Sequence, residues 1–451
     1  MKLLLVALLL LCVPIVGLAQ QKSRKLFPYN YVIDDLPNGL RLITVPTDYP
    51  NLVALYIVVS TGSRNEIEKG KSGYAHLFEH LMFRGSENFS AHERDDILKR
   101  AGADSNAYTT DDRTVFHEVF SKEDLDKILQ LEADRFQHLK YERDAYKTET
   151  QAVLGEFNKN SADPEEKLYE VMRATAYKRH TYSHTTMGFI EDIQDMPNQF
   201  DYSWEFYKRY YRPEYTTITV VGDVSRESVL AQVKKYFGDW KRGNYVPKIP
   251  AEPDQKGPLT AHVPWPSETL PLIYVGFRGP EYADDRKDKA ALDLLAPIAF
   301  GDNSDLYQKL VLQEQKVESL DYSSANRTDP ELFLVSAKVK DVKDVDYVRG
   351  QIMETFKRFA SEPVAQAKLD ATRSRLRYSF ALGLDSSEAI AGAMAQYVAL
   401  KRTPETVDKL YALYDTITPQ DIRDVAARYF VDNRRTIVTL ATDKNKQEAG
   451  K

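Results

Sequence analysis

The chain has 451 residues, 61 Lys+Arg against 67 Asp+Glu, and a formal net charge of −6. Hydrophobic residues at 43% and charged residues at 28% are ordinary globular values, which excludes a disordered, collagen-like or coiled-coil chain. The mildly acidic balance excludes a general attraction to nucleic acid or anionic lipid. The length predicts about three domains, or two of roughly 200 residues.

The first element read from the N-terminus is a leader. Lys2 precedes an apolar run from Leu3 to Leu18, and Gly17-Leu18-Ala19 places small residues before Gln20. That pattern predicts a secretory signal peptide over residues 1–19, export, and a periplasmic location. The run is shorter than the roughly 20 residues a spanning helix needs, and Pro14 interrupts it. No later segment reads as a membrane span. The single Cys, Cys12, lies inside the leader, so the mature chain has neither disulfides nor a thiolate metal site. Any metal must be held by His and carboxylate.

Tyr31–Ile33, Leu40–Val45 and Leu52–Val59 read as strands by their β-branched and apolar content. Lys71–Phe83, Ala91–Gly102, Lys122–Gln137 and Asp144–Asn158 read as helices, with strand character returning over Asn106–Phe120. Tyr210 to Val224 closes the first half as a turn and a β-branched strand. Arg428 to Thr442 closes the second half in the same way. Between them, 241–266 carries six prolines and reads as an extended linker. The expected architecture is α+β: two homologous α/β-sandwich domains, 27–240 and 267–445, joined by that linker.

The helix around Tyr74–Arg84 carries the chemistry. His76 and His80 are four apart and share a face, with Glu79 beside them. The other positions are Leu77, Phe78, Leu81, Met82 and Phe83, so the helix is apolar nearly all round and its polar stripe needs a strong partner. A divalent cation is such a partner. The order His-x-x-Glu-His is the reverse of the common zinc-protease motif. Two histidines leave one protein ligand to find, and a catalytic site keeps an open water position beside it. The bland alternative is a surface helix with an accidental His pair.

Gly73 to Gly85 (GYAHLFEHLMFRG) resembles the motif of the pitrilysin and insulinase zinc peptidases, in particular the half-size branch related to the mitochondrial processing peptidase. The resemblance implies a third ligand on a later helix. Glu156 stands 76 residues after His80 and matches it, and Glu149 matches a Glu seven residues earlier in the family pattern. Asn106-Ala107-Tyr108-Thr109 is similar to the family's substrate-binding edge strand. His180-Thr181-Tyr182, leading to Gly188 and Glu191-Asp192-Ile193, and Tyr211 to Val224 match further family stretches. His92, His117, His138, His184 and His262 lack metal spacing and read as structural or surface residues.

The resemblance implies Zn²⁺ on His76, His80 and Glu156, with Glu79 as general base and Glu149 as a supporting catalytic carboxylate. It also implies Asn106 and Ala107 as contacts for an extended peptide substrate. Active relatives carry an Arg and a Tyr seven apart in a later domain, and Val311 and Glu318 occupy those places here. The expectation is therefore a zinc endopeptidase for unfolded or short peptides, enclosing its cavity on dimerisation. The partner would be a related metal-free chain carrying the Arg and Tyr, or a second copy in a homodimer. The competing expectations are a non-catalytic peptide-binding or scaffold member of the same fold and, more weakly, a metal-buffering protein.

Overall fold

The computed structural model describes residues 25–443; the leader expected at 1–19, Cys12 and the last residues of the second unit lie outside them. The first half builds a sheet from β1 (Val32–Asp35), β2 (Arg41–Pro46), β3 (Leu52–Val59), β4 (Asp104–Thr109), β5 (Thr114–Ser121) and β6 (Thr216–Gly222). The second builds one from β7 (Leu259–Trp265), β8 (Leu272–Arg278), β9 (Val317–Ser324), β10 (Leu332–Val339) and β11 (Arg435–Thr442). The strand orders are β1-β2-β6-β3-β5-β4 and β7-β11-β8-β10-β9.

The two sheets repeat one plan. β6 runs parallel to β2 and antiparallel to β3, while β11 runs parallel to β7 and antiparallel to β8. β4 and β9 are the matching edges, each paired to one neighbour. The central strands are those with the densest β-branched content: β6 (TTITVVG) is buried along its whole length, β3 from Val53 onward. The α+β duplication expected from the two closing strands is present.

Two segments differ in detail from expectation. The stretch 106–120 is a hairpin rather than a single strand, because Asp111 and Asp112 turn the chain between β4 and β5, closed by Thr110 N–H donating to Arg113 O at 2.8 Å. The Pro-rich stretch has no regular structure over 240–258, but its end forms β7. Pro264 is tolerated there because β7 is an edge strand with one hydrogen-bonded neighbour.

The helices of the first half begin with α1 (Tyr74–Leu81), α2 (Ala91–Arg100), α3 (Leu125–Gln137), α4 (Arg143–Asn160) and α5 (Pro164–Ala176), and further helices flank β6, among them Phe200–Tyr210 before it and Arg226–Phe237 after it. α5 does not stay with its own sheet. Its Leu168, Met172 and Ala176 pack on Leu272, Leu334 and Val438 of the second sheet. Gly276 of β8 makes room, since a Cβ there would collide with Met172. In return the helix Ser387–Lys401 crosses to the first sheet, where Ile390, Met394 and Val398 meet Val45, Tyr56 and Val58. The two halves therefore exchange equivalent helices, each burying a face of the other's sheet.

Where two hairpin turns meet, a buried ionic cluster adds to this joint. Asp111 in the β4–β5 turn lies between Arg173 of α5 at 2.8 Å and Arg327 of the β9–β10 turn at 2.9 Å. Tyr182 Oη donates to Asp112 at 2.7 Å, and His180 Nε2 lies 2.9 Å from Asp329 of the second half. The His180-Thr181-Tyr182 stretch is thus part of the seam between halves.

Candidate metal and hydrolytic centre

α1 buries Tyr74, Ala75, Leu77, Phe78 and Leu81, so packing fixes its rotation and leaves His76, Glu79 and His80 on the open stripe. Its first turn is tightly built. Gly73 precedes the helix with φ +87°, a left-handed conformation that suits glycine, and a Cβ there would stand 2.8 Å from Met187 O. Gly188 answers it from the other side, where a Cβ would stand 2.7 Å from Gly73 N. Asp192 accepts from Ser72 N–H at 3.1 Å and from Ser72 Oγ at 2.6 Å. The stretch from Gly188 to Ile193 thus braces the start of α1.

α4 runs beside α1 and presents two carboxylates. Glu156 lies over the His pair: Oε2 is 3.3 Å from His76 Nε2 and Oε1 is 3.7 Å from His80 Nε2. The three donor groups gather within 4.8 Å of one another. An edge of about 3.3 Å is what a tetrahedral site with bonds near 2.0 Å requires, and two neutral imidazoles with a carboxylate make a donor set that suits zinc. The residues present fit that ion. The Glu156 side chain keeps 46% of its surface exposed, against 12% for His76 and 19% for His80, so the group opens outward on one side.

Glu149, two turns before Glu156, is buried at 2% exposure and lies 3.2 Å from His80 Nδ1; its other oxygen accepts from Arg84 at 2.6 Å. Holding Nδ1 aims Nε2 at the open site. Burial pushes Glu149 up, but the bonds from His80 and Arg84 outweigh it and hold the carboxyl below its ordinary value. The same bond to Glu149 raises His80, while burial, with His80 alongside, takes His76 down to about 4. Glu79 is raised, chiefly by burial, against the opposing bond from Thr109. Thr109 Oγ1 donates to Glu79 Oε2 at 2.6 Å.

Asn106 and Ala107 sit on the edge strand β4, opposite His117 and Phe116 of β5. Asn106 is exposed and its Oδ1 accepts from the Ala107 N–H at 2.8 Å, while Ala107 packs against the core. Alternation along the strand puts Ala107 and Thr109 on the α1 side and Asn106 on the other. Val311 packs half-buried on the second core, and Glu318 on β9 pairs with Lys338 at 3.1 Å. Neither replaces an Arg or a Tyr. His184 is buried, and burial lowers it to about 4. Sequence reasoning did not assign roles to Arg84 and Thr109. Both lie inside quoted motifs, but their partners, Glu149 and Glu79, are 65 and 30 residues away.

Known proteins resemble the chain in sequence and in fold. The model of the insulinase family, peptidase family M16, matches residues 42–189, and that of the peptidase M16 inactive domain matches 200–376. The chain is similar to the zinc protease PqqE of Helicobacter pylori, 31% identical over 413 residues covering 90% of this chain and 91% of that one. It is 24% identical over 423 residues to a probable mitochondrial-processing peptidase subunit beta of Arabidopsis thaliana, covering 89% and 76% of the two chains. The crystal structure of a protease from Helicobacter pylori superposes with a TM-score of 0.85 at 29% identity, covering 91% of this chain and 99% of that one. With two matched units, a reversed His-x-x-Glu-His helix and these relatives, the chain belongs to the M16 peptidase family.

Proposed function

We propose that the chain is an exported zinc-dependent endopeptidase that hydrolyses unfolded or short peptides. The observation that carries this reading is the convergence of His76, His80 and Glu156 with Glu79 held beside them by Thr109. Bound there, zinc would polarise the scissile carbonyl and acidify a water. Glu79, with Oε2 occupied by Thr109, offers Oε1 to take the water's proton and deliver it to the leaving amine. Glu149 keeps His80 in the tautomer whose Nε2 faces the site. The open edge of β4 would take an extended peptide by main-chain pairing, with Asn106 and Ala107 as its contacts.

The leader features of residues 1–19 support export to the periplasm, and among the described residues no helix is long and apolar enough to cross a membrane. The absence of an Arg and Tyr at Val311 and Glu318 favours a partner: a related metal-free chain supplying both, closing the cavity over the site. One relative is itself named as a peptidase subunit. A homodimer is the second arrangement, and a peptide-binding scaffold without turnover is the rival reading, favoured by the same missing pair.

Three measurements separate these readings. Purified protein should contain one zinc per chain and cleave an unstructured peptide weakly, with all cleavage lost to a chelator. Adding the partner should raise the rate by about 10²-fold or more, the usual worth of an oxyanion donor. Full activity from this chain alone sinks the two-chain reading, and zinc binding without any cleavage in either setting points to the scaffold.

A further inference from the structure

The proposal concerns Glu66, which lies ten residues before His76 in the turn Gly62-Ser63-Arg64-Asn65-Glu66. The first N–H groups of a helix have no partner within it, and at α1 the residue before the helix is Gly73, which has no side chain to offer. Glu66 fills that role from outside the helix. Its Oε2 accepts from Gly73 N–H at 2.7 Å and its Oε1 from Ala75 N–H at 2.7 Å. The side chain has no exposed surface, and His184 Nδ1 stands 3.7 Å away.

Two hydrogen bonds to two oxygens of one carboxylate fix both the height of α1 along its axis and its rotation. Rotation is the sensitive variable, because successive residues of a helix are about 100° apart and Ala75 directly precedes His76. The turn that follows α1 is tied down separately, by Arg84 reaching Glu149 of α4 at 2.6 Å. The metal-binding face lies between these two anchors.

The turn that carries Glu66 is itself rigid. Gly62 N–H donates to Asn65 Oδ1 at 3.1 Å, and Tyr210 Oη donates to Asn65 O at 2.7 Å. Ser63 Oγ donates to Asp111 Oδ1 at 3.0 Å, and Arg64 pairs with Asp329 of the second half at 2.5 Å. One short segment therefore touches the start of α1, the turn two residues beyond Thr109, and the other half of the chain. We propose that Glu66 is a positioning residue: it sets the rotation of α1 so that His76 and His80 meet Glu156. This rests on the metal-site reading given above.

The test compares the full chain with Glu66→Gln, Glu66→Asp and Asp163→Ala. Asp163 caps α5 rather than α1, by accepting from Glu165 and Glu166 N–H, so its variant controls for the loss of a helix cap alone. The readouts are zinc affinity by chelator competition and amide hydrogen exchange across Leu77–Leu81. Glu66→Gln is expected to weaken zinc binding tenfold or more and to speed exchange in α1 by a similar factor, with Glu66→Asp between it and the natural chain. Asp163→Ala should lower the melting temperature yet leave both readouts within twofold. If Glu66→Gln does not fold, Glu66→Asp decides by the same two measurements. Unchanged zinc affinity and α1 exchange, or equal losses in Asp163→Ala, would overturn the proposal. Should the natural chain bind no zinc, the metal-site reading fails instead, and exchange in α1 alone decides the role of Glu66.

Discussion

Thr109 on β4 and Glu79 on α1 are joined by a 2.6 Å hydrogen bond, which ties the edge strand to the carboxylate beside the two histidines. The strand proposed to take the peptide and the base proposed to work on it are therefore linked directly, through one hydrogen bond. Thr109→Val removes the donor while keeping the shape. Its kcat should fall by about 10²-fold through misplacement of Glu79, with zinc content unchanged. Thr109→Ser should recover most of the rate. Equal kcat in Thr109→Val and the natural chain would show that the bond does not orient the base.

Glu79 and His80 are neighbours with different tasks. His80→Ala should abolish stoichiometric zinc, whereas Glu79→Gln should keep the ion and lose hydrolysis by 10²-fold or more, since it removes a base and not a ligand. Metal analysis beside a peptide assay checks both. If Glu79→Gln loses the ion as completely as His80→Ala, the roles assigned to the pair are wrong.

Zinc affinity should depend on pH through one histidine before the other. The bond to Glu149 raises His80 above its ordinary 6.5, while burial, aided by His80, takes His76 down to about 4. Imidazole binds a metal only when neutral. As pH falls through the raised His80 value, affinity should drop about tenfold per pH unit, one proton per ion, with the second proton entering only near pH 4. The metal-free chain responds with the opposite sign. Its His80–Glu149 pair contributes stability that is full below the unfolded His value near 6.5 and is lost as pH rises through the folded one. Chelator competition from about pH 8 to about pH 5 checks the slope; two protons per ion across that whole range would contradict the separation.

The buried cluster at the seam should be costly to break from one side. Arg173 is 1% exposed and faces Asp111, which is 5% exposed. Arg173→Met leaves that carboxylate with Arg327 and the Ser63 hydroxyl and should cost about 3–5 kcal/mol in unfolding free energy. Denaturant unfolding measures it, and a loss below about 1 kcal/mol would mean that Arg327 and Ser63 satisfy Asp111 unaided.

Substrate form is the last prediction. β4 pairs with β5 alone, and an incoming strand would take over the Ala107 N–H that the Asn106 side chain now holds. A peptide adding to this edge must be extended, so denatured chains should be cut much faster than their folded forms. Equal rates on a stable globular protein before and after denaturation would remove the edge-strand reading.

The metal helix was legible because one motif sits on an otherwise apolar helix, so local periodicity and residue chemistry agree. Leu52–Val59 was legible for the same reason, as an unbroken run of strand formers. The hairpin at Asp111-Asp112 does not stand out in the sequence, since the flanking residues keep strand character on both sides of a short turn. The end of the Pro-rich stretch hid β7, because its prolines disguise a strand that needs only one paired edge. Glu66 gave no signal at all: a lone acid in a turn acquires its task only when a distant helix lands on it. The destination of α5 was equally hidden, for its apolar face reads the same whichever sheet it covers.

The reciprocal crossing of α5 and the Ser387–Lys401 helix makes each half the lid of the other's interior. Neither half expressed by itself would have a complete hydrophobic interior; each would carry one naked sheet face and one homeless helix. Past the buried Trp240, the irregular connector is half-buried or exposed through residue 258 and adds little to that mutual enclosure. A protease nick there should leave a two-fragment complex that stays together without a covalent link and keeps its zinc. The same fragments supplied as separate chains should behave as obligate partners, soluble together and aggregating apart.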